Sequence, residues 1–196
     1  GLAGTTVSPT QIDLRWSASS DNVGVASYRI YRGGTFCGTS ATTFYSDTTA
    51  TPTTSYSYTV VACDAAENAS SPSDAFAIAT GHAYYVAPGG QDDNPGNLSS
   101  PWETWEKAVA TAEAGDTVYF KAGTYTVSTA PVTAHAGTVS APIVLKAYAG
   151  ESPIIIGSGL KALVFVRKPC WSFEGLSFEA SNIPDRDSAI IRVGDN

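Results

Sequence analysis

Charge is scarce in this 196-residue chain: only 15% of its residues are Asp, Glu, Lys or Arg, and they form no basic cluster. Eleven basic residues stand against 18 acidic ones, a net charge of −7, which argues against nucleic acid or an anionic membrane as partner. No apolar run approaches the roughly 18–20 residues needed to span a bilayer. Cysteine is also sparse. Cys37, Cys63 and Cys170 are odd in number and lack C-x-x-C spacing, so the chain carries neither a disulfide framework nor a cysteine metal motif. Ser/His/Asp spacing, a phosphate-cradling Gly loop, Cys/His clusters and an Arg-Gly-Asp adhesion sequence are absent too. Methionine is missing altogether, and the Thr/Ser-rich, acidic remainder points to an extracellular or cell-surface protein.

What the chain has instead is many short apolar runs joined by polar turns. In residues 1–80 these runs alternate. Ile12, Leu14 and Trp16 share one face of a strand, Tyr28 and Ile30 one face of another, and Tyr56, Tyr58, Val60 and Ala62 one face of a third. Turn residues at Asp21-Asn22, Gly33-Gly34, Thr51-Pro52 and Glu67-Asn68 separate them, and several strands at roughly ten-residue spacing predict a β-sandwich. Trp16 is in phase with the core, whereas Tyr31 is out of phase. For Cys37 and Cys63, free thiols and a mutual bridge both stay open.

From Val118 the pattern changes. Apolar runs begin at Val118, Ile143, Leu163 and Ile190, a spacing read as one solenoid coil per run. The last run is followed by only Gly194, Asp195 and Asn196, which predicts an open, unpaired end prone to self-association. Upstream, Ser100, Pro101 and Glu103 read as a helix start with N-cap and capping box. Trp102, Trp105, Ala108, Val109 and Ala112 then form an apolar helical face, Glu103 and Lys107 an i,i+4 pair, and Gly115 a stop.

Two resemblances follow. Trp16, "SSDNVGVASYRIYRGG" (19–34) and "TPTTSYSYTVVACDAAENAS" (51–70), with Tyr56 at the tyrosine-corner position, resemble a fibronectin type III domain of the kind carried by secreted bacterial carbohydrate-active enzymes. "YYVAPGGQDDNPGN", the helix, "AGDTVYFKAGTY", "APIVLKAYAGESPIIIGSG" and "WSFEGLSFEAS" resemble the N-terminal cap and first coils of a right-handed parallel β-helix of the pectate-lyase-like superfamily. The expected fold is therefore all-β: a type III sandwich over 1–80, then a capped, truncated β-helix over 82–196, with almost no linker.

The resemblance implies a secreted polysaccharide lyase that cleaves uronate-containing glycans by β-elimination. Its catalytic coils are expected beyond Asn196, so residues 1–196 alone should be inactive, and calcium would belong to the full-length parent. A β-helix glycoside hydrolase and a non-catalytic surface or adhesin protein are the rivals. Asp185 and Asp187, in a loop between coils, are the metal or substrate candidates. Asp92, Asp93 and Asn94 read as turn formers, Trp102 and Trp105 as cap packing, and Lys168 and Arg192 as the only basic residues near later coils that could be put forward for the chemistry, with neither assigned to it. His82 and His135 have no visible partner.

Overall fold

A computed structural model describes residues 1–22, 24–182 and 190–193. The chain divides into two compact units, Gly1–Thr80 and Gly81–Asn196.

In the first unit, β1 (Ala3–Ser8), β2 (Gln11–Arg15), β3 (Ser27–Arg32), β4 (Thr35–Ser40), β5 (Phe44–Asp47), β6 (Ser55–Cys63) and β7 (Phe76–Ala79) build two antiparallel sheets, ordered β1-β2-β5 and β4-β3-β6-β7. The alternating rows do what period two requires: Ile12, Leu14, Tyr28, Ile30, Tyr58, Val60 and Ala62 are buried in one cluster. Trp16 differs from its expected place deep in that core. It is only half-buried, packed edge-on to Tyr28 at 5.3 Å between centroids. Tyr56 forms the expected corner, its hydroxyl accepting from the Thr51 amide at 2.8 Å. All three cysteines are free thiols; Cys37 on β4 and Cys63 on β6 are held apart by β3, which pairs with both strands.

Alternation could not show the buried carboxylate of Asp47, which joins the two sheets. It sits at the end of β5 and is 1% exposed. It accepts from the Tyr58 hydroxyl on β6 at 2.6 Å, from Arg32 on β3 at 2.9 Å, and from the Thr49 amide and hydroxyl at 2.9 and 2.7 Å. Burial alone would raise its pKa. The hydrogen bonds from Tyr58 and Thr49 and the Arg32 charge outweigh burial and hold the carboxyl below its ordinary value.

Tyr58→Phe should therefore cost about 2 kcal/mol, against about 1 kcal/mol for Tyr56→Phe, because only the former leaves a buried charge short of a donor. A depressed carboxylate contributes stability above its unfolded pKa, about 3.9, and loses it as pH falls through the lower folded value. Urea unfolding should thus show the Tyr58→Phe penalty in full at pH 6 and shrinking below about pH 4. A penalty constant down to pH 2 would mean that Asp47 is not the acceptor that matters.

The second unit contains β8 (Ala83–Val86), α1 (Trp105–Thr111), β9 (Thr117–Phe120), β10 (Gly123–Thr126), β11 (Ile143–Ala147), β12 (Pro153–Ser158), β13 (Val164–Val166), β14 (Trp171–Glu174), β15 (Ser177–Ser181) and β16 (Ile191–Val193). Its sheets are parallel throughout, ordered β8-β9-β11-β14, β10-β12-β15 and β13-β16. The chain visits the three walls in turn, which makes a parallel β-helix. Between β14 and β15 the turn is only Gly175 and Leu176, and Gly175 takes φ +65°, where a side chain would be strained.

Register stacks like on like. Val118, Leu145 and Phe173 follow one another along the first wall, and Tyr125, Ile155 and Phe178 along the second. This corrects the coil spacing. Successive positions on one wall lie 27 and 28 residues apart, as Val118, Leu145 and Phe173 show. The runs at Ile143 and Leu163 lead into the first and third walls of one coil, with β12 of the second wall between them, so the four runs span fewer coils than one each.

The cap also differs from expectation. The helix begins at Trp105 with Thr104 as N-cap, its hydroxyl accepting from the Lys107 amide at 3.1 Å. Ser100 lies instead in a turn closed by Asn97, whose side-chain oxygen accepts from the Ser99 and Ser100 amides. Trp102 is bridged to Val86 on β8, so backbone rather than helix covers that strand's outer edge. Glu103 precedes the helix and makes no i,i+4 pair. Trp105 is fully buried, its ring within 5.9 Å of the Phe120, Phe173 and Phe178 rings and its Nε1 donating to the Leu163 carbonyl at 2.9 Å.

Among the described residues, β14, β15 and β16 each pair on one side only. Amide exchange should therefore be slowest in β9 and β11 and fastest in β16. Uniform protection through β16 in a monomer would mean that another surface covers this edge.

Candidate functional site

Three residues of β13 set the site. Val164 and Val166 are buried, so Phe165 between them points outward. Parallel pairing puts Arg192 of β16 directly beside it. Immediately after the strand, the Arg167 guanidinium lies 5.9 Å from the Phe165 ring centroid, within cation–π reach. The turn is pinned from below: the Thr133 hydroxyl accepts from the Arg167 and Lys168 amides at 3.0 and 3.1 Å, and Thr133 itself is 2% exposed. Lys161 and Lys168 are exposed at either end of the strand. Four of the chain's 11 basic residues thus gather on one wall of a protein of charge −7. Arg167 and Phe165 together offer a planar donor and an apolar face, a set suited to carboxylates carried on a sugar chain.

On the neighbouring wall, β10, β12 and β15 present a cleft of about 290 Å³ with Thr126, Ile156, Ser158, Glu179 and Ser181 among its lining residues. Its lining is more apolar than polar, with three hydroxyls and one carboxylate.

The other candidates are placed as follows. Asp185 and Asp187 lie outside the described residues. Asp92 is a structural anchor: its carboxylate accepts from the Glu103 amide, the Thr104 amide and the Thr104 hydroxyl at 3.0, 3.0 and 2.5 Å. Burial opposes its charge, but those bonds and Lys107 outweigh burial and hold the carboxyl below its ordinary value. Asn94 is equally occupied, its amide donating to the Pro101 carbonyl and its carbonyl accepting from Trp102 Nε1, both at 2.9 Å. Trp102 and Trp105 are buried and present no sugar-stacking face. His82 does have a partner, contrary to its sequence reading: its Nδ1 lies 3.2 Å from the buried Asp116 carboxylate. The His135 carbonyl accepts from Trp171 Nε1 at 2.9 Å. Lys168 and Arg192, unremarkable singly, gain meaning from Phe165 and Arg167. Sequence could have offered only the cluster "VFVRK" as a hint.

Residues 84–196 match the Pel9A-like, right-handed β-helix region family. The chain belongs to that family. Residues 2–61 match a bacterial Ig domain, in keeping with a sandwich of the Ig and fibronectin type III kind. Pectate lyase PEL9 of Emericella nidulans is 46% identical over 76 residues, 39% of this chain and 18% of that protein. Exoglucanase B of Cellulomonas fimi is 45% identical over 80 residues, 41% of this chain and 7% of that protein. The solved pectate lyase Pel9A superposes with a TM-score of 0.42 at 26% identity, covering 50% of this chain and 28% of that one. The chain therefore spans less than a fifth of the curated relatives it matches here.

If Asp92 is a structural anchor, Asp92→Ala should destabilise the second unit by about 2–3 kcal/mol, the loss of a charge-assisted cluster that sets the helix start. The loss should be the same with or without added calcium. A calcium-dependent difference in unfolding midpoint would return Asp92 to the ligand reading.

Proposed function

We propose that the whole protein is a secreted, carbohydrate-active enzyme, a polysaccharide lyase that cleaves uronate-containing glycans by β-elimination. In this reading the Phe165–Arg192 face of the present chain holds part of the polymer. One observation carries it: an aromatic ring on an outward wall with the Arg167 guanidinium against it and Arg192 beside it in register, in a chain that is otherwise acidic. A neutral glycan gives no reason to gather cations there, whereas a polyuronate carries a carboxylate on every residue that guanidinium groups bind in bidentate fashion.

In the elimination, pairing the uronate carboxylate with cations lowers the pKa of the neighbouring C5 proton. A base removes that proton, a C4–C5 double bond forms, and the C4 oxygen leaves with the departing chain. Among the described residues, no three His, Cys, Asp or Glu side chains come together to hold a metal ion. No calcium step is therefore assigned to the described residues. Likewise, no helix among the described residues is long and apolar enough to cross a membrane.

Polygalacturonate binding by the chain at low salt is the direct test. Arg167→Ala/Lys168→Ala should weaken it about fivefold, and the difference should close as salt screens exposed charges. Equal binding by the double variant, or a preference for a neutral glycan, would overturn the reading. So would failure of the full-length protein to release ultraviolet-absorbing unsaturated product from uronate polymers.

A further inference from the structure

A second row of side chains lies outside the solenoid, on a different wall. Val86, Val118 and Phe120 are fully buried, so Tyr85 and Tyr119, in register with each other, project from the opposite face of β8 and β9. Their rings stack at 5.3 Å with 23° between the planes. Tyr148, just beyond β11, stands edge-on to both at 5.9 and 6.0 Å. None of the three belongs to the buried core cluster, and all are half-buried. Register continues the row through Lys146 to Glu174. On the other side, the Lys121 ammonium lies 5.7 Å from the Tyr148 centroid.

Core packing does not require this arrangement. A period-two strand on a solvated wall can carry Thr or Ser outward, as β10 and β15 do here, whereas three clustered rings leave apolar area in water. Aromatic rings with phenol donors and a cationic rim complement an acidic pyranose: its C–H face lies on a ring, and its carboxylate meets the ammonium groups. The rim also holds Glu174, paired with Lys146 at 3.4 Å, and Glu151, which accepts from the Ala122 amide. The Lys146–Glu174 pair is solvent-exposed, with 33% and 50% of the side-chain surfaces accessible, so exchanging its acid for a ligand carboxylate costs little. Burial first, and then the neighbouring tyrosines, push the Tyr85 and Tyr119 phenols above their ordinary value, which keeps both as neutral donors.

We infer that the outer face of the β8-β9-β11 wall is a second glycan-docking surface, seating a segment of acidic polysaccharide on Tyr85, Tyr119 and Tyr148 between Lys121 and Lys146. The inference rests on the acidic polymer proposed above but uses none of the residues of the Phe165–Arg192 face.

The test is calorimetric or gel-affinity titration of the 196-residue chain with polygalacturonate at low salt, with far-UV circular dichroism to check each variant's fold. Tyr148→Ala and Lys121→Ala should each bind about five- to tenfold more weakly, a loss near 1–1.4 kcal/mol. Lys121→Ala removes only a charge, so it decides the matter if Tyr148→Ala fails to fold. Wild-type binding by both native-like variants, alongside weakened binding by Arg167→Ala/Lys168→Ala, would overturn this surface and leave the first intact. No binding by the wild-type chain would overturn both. If Tyr148→Ala lost affinity equally for a neutral cello-oligosaccharide, the acidic occupant assigned here would be wrong.

Discussion

A parallel solenoid coil cannot bury its inward rows alone: its walls meet across the bore, as Phe120 and Tyr125 do at 5.3 Å and Phe173 and Phe178 at 6.2 Å, but the faces above and below are covered only by the neighbouring coils. That constraint governs Gly81–Asn196. Val118, Leu145 and Phe173 stack in register, as do Tyr125, Ile155 and Phe178; the residues with a further coil beyond them are buried, whereas Phe173 and Phe178, at the end of each row among the described residues, are only partly covered. The first coil has no predecessor, and the chain solves this twice over. The backbone around Gly96–Trp102 satisfies the outer edge of β8, with Tyr85 donating to Gly96 and accepting from Trp102. A seven-residue helix then fills the bore with Trp105, Ala108 and Val109. Such a short helix is marginal alone; the buried indole, hydrogen-bonded to Leu163, is what holds it there.

The sandwich unit escapes that constraint by folding two sheets onto each other, and it adds a polar clasp between them. Asp47 draws donors from both sheets, through Tyr58 and Arg32 on one and Thr49 beside its own strand. A buried carboxylate is tolerable only when its lone pairs are filled. Its value here is geometric: it fixes how β5 faces β3 and β6, where hydrophobic contacts alone would allow sliding.

Local periodicity made the strand faces legible, and Ile12, Leu14, Tyr28, Ile30, Val118 and Phe120 lie where alternation places them. What stayed hidden was non-local. The Ser100-Pro101-x-Glu103 signature is a sound helix start taken alone, yet Asp92, eleven residues upstream of Glu103, claims the Glu103 and Thr104 amides and moves the start to Thr104. The coil period was misjudged because Ile143 and Leu163 are both apolar runs, and a sequence does not mark which wall a run occupies. Asp47 could not be told from a solvated Asp, because its partners come from 11 and 15 residues away. The Phe165–Arg192 face was invisible for the same reason: its halves are 27 residues apart, one coil, and meet only through parallel register.

Parallel register also links architecture to recognition. In a solenoid every outward side chain repeats its position once per coil, so ligand groups that recur along a polymer can meet protein groups that recur along a wall. Phe165 and Arg192 occupy one such column, and Tyr85, Tyr119 and Lys146 another. The strand spacing along a wall is about 4.8 Å, a short repeat that the polymer proposed above would meet coil by coil. For the acidic polymer proposed above, a net charge of −7 would act as a filter, not an obstacle. Exposed charges more than about one Debye length apart, 8–10 Å in physiological salt, are screened from one another, so the acidic surface elsewhere leaves a cationic wall intact at contact range while disfavouring adsorption of the polymer anywhere else.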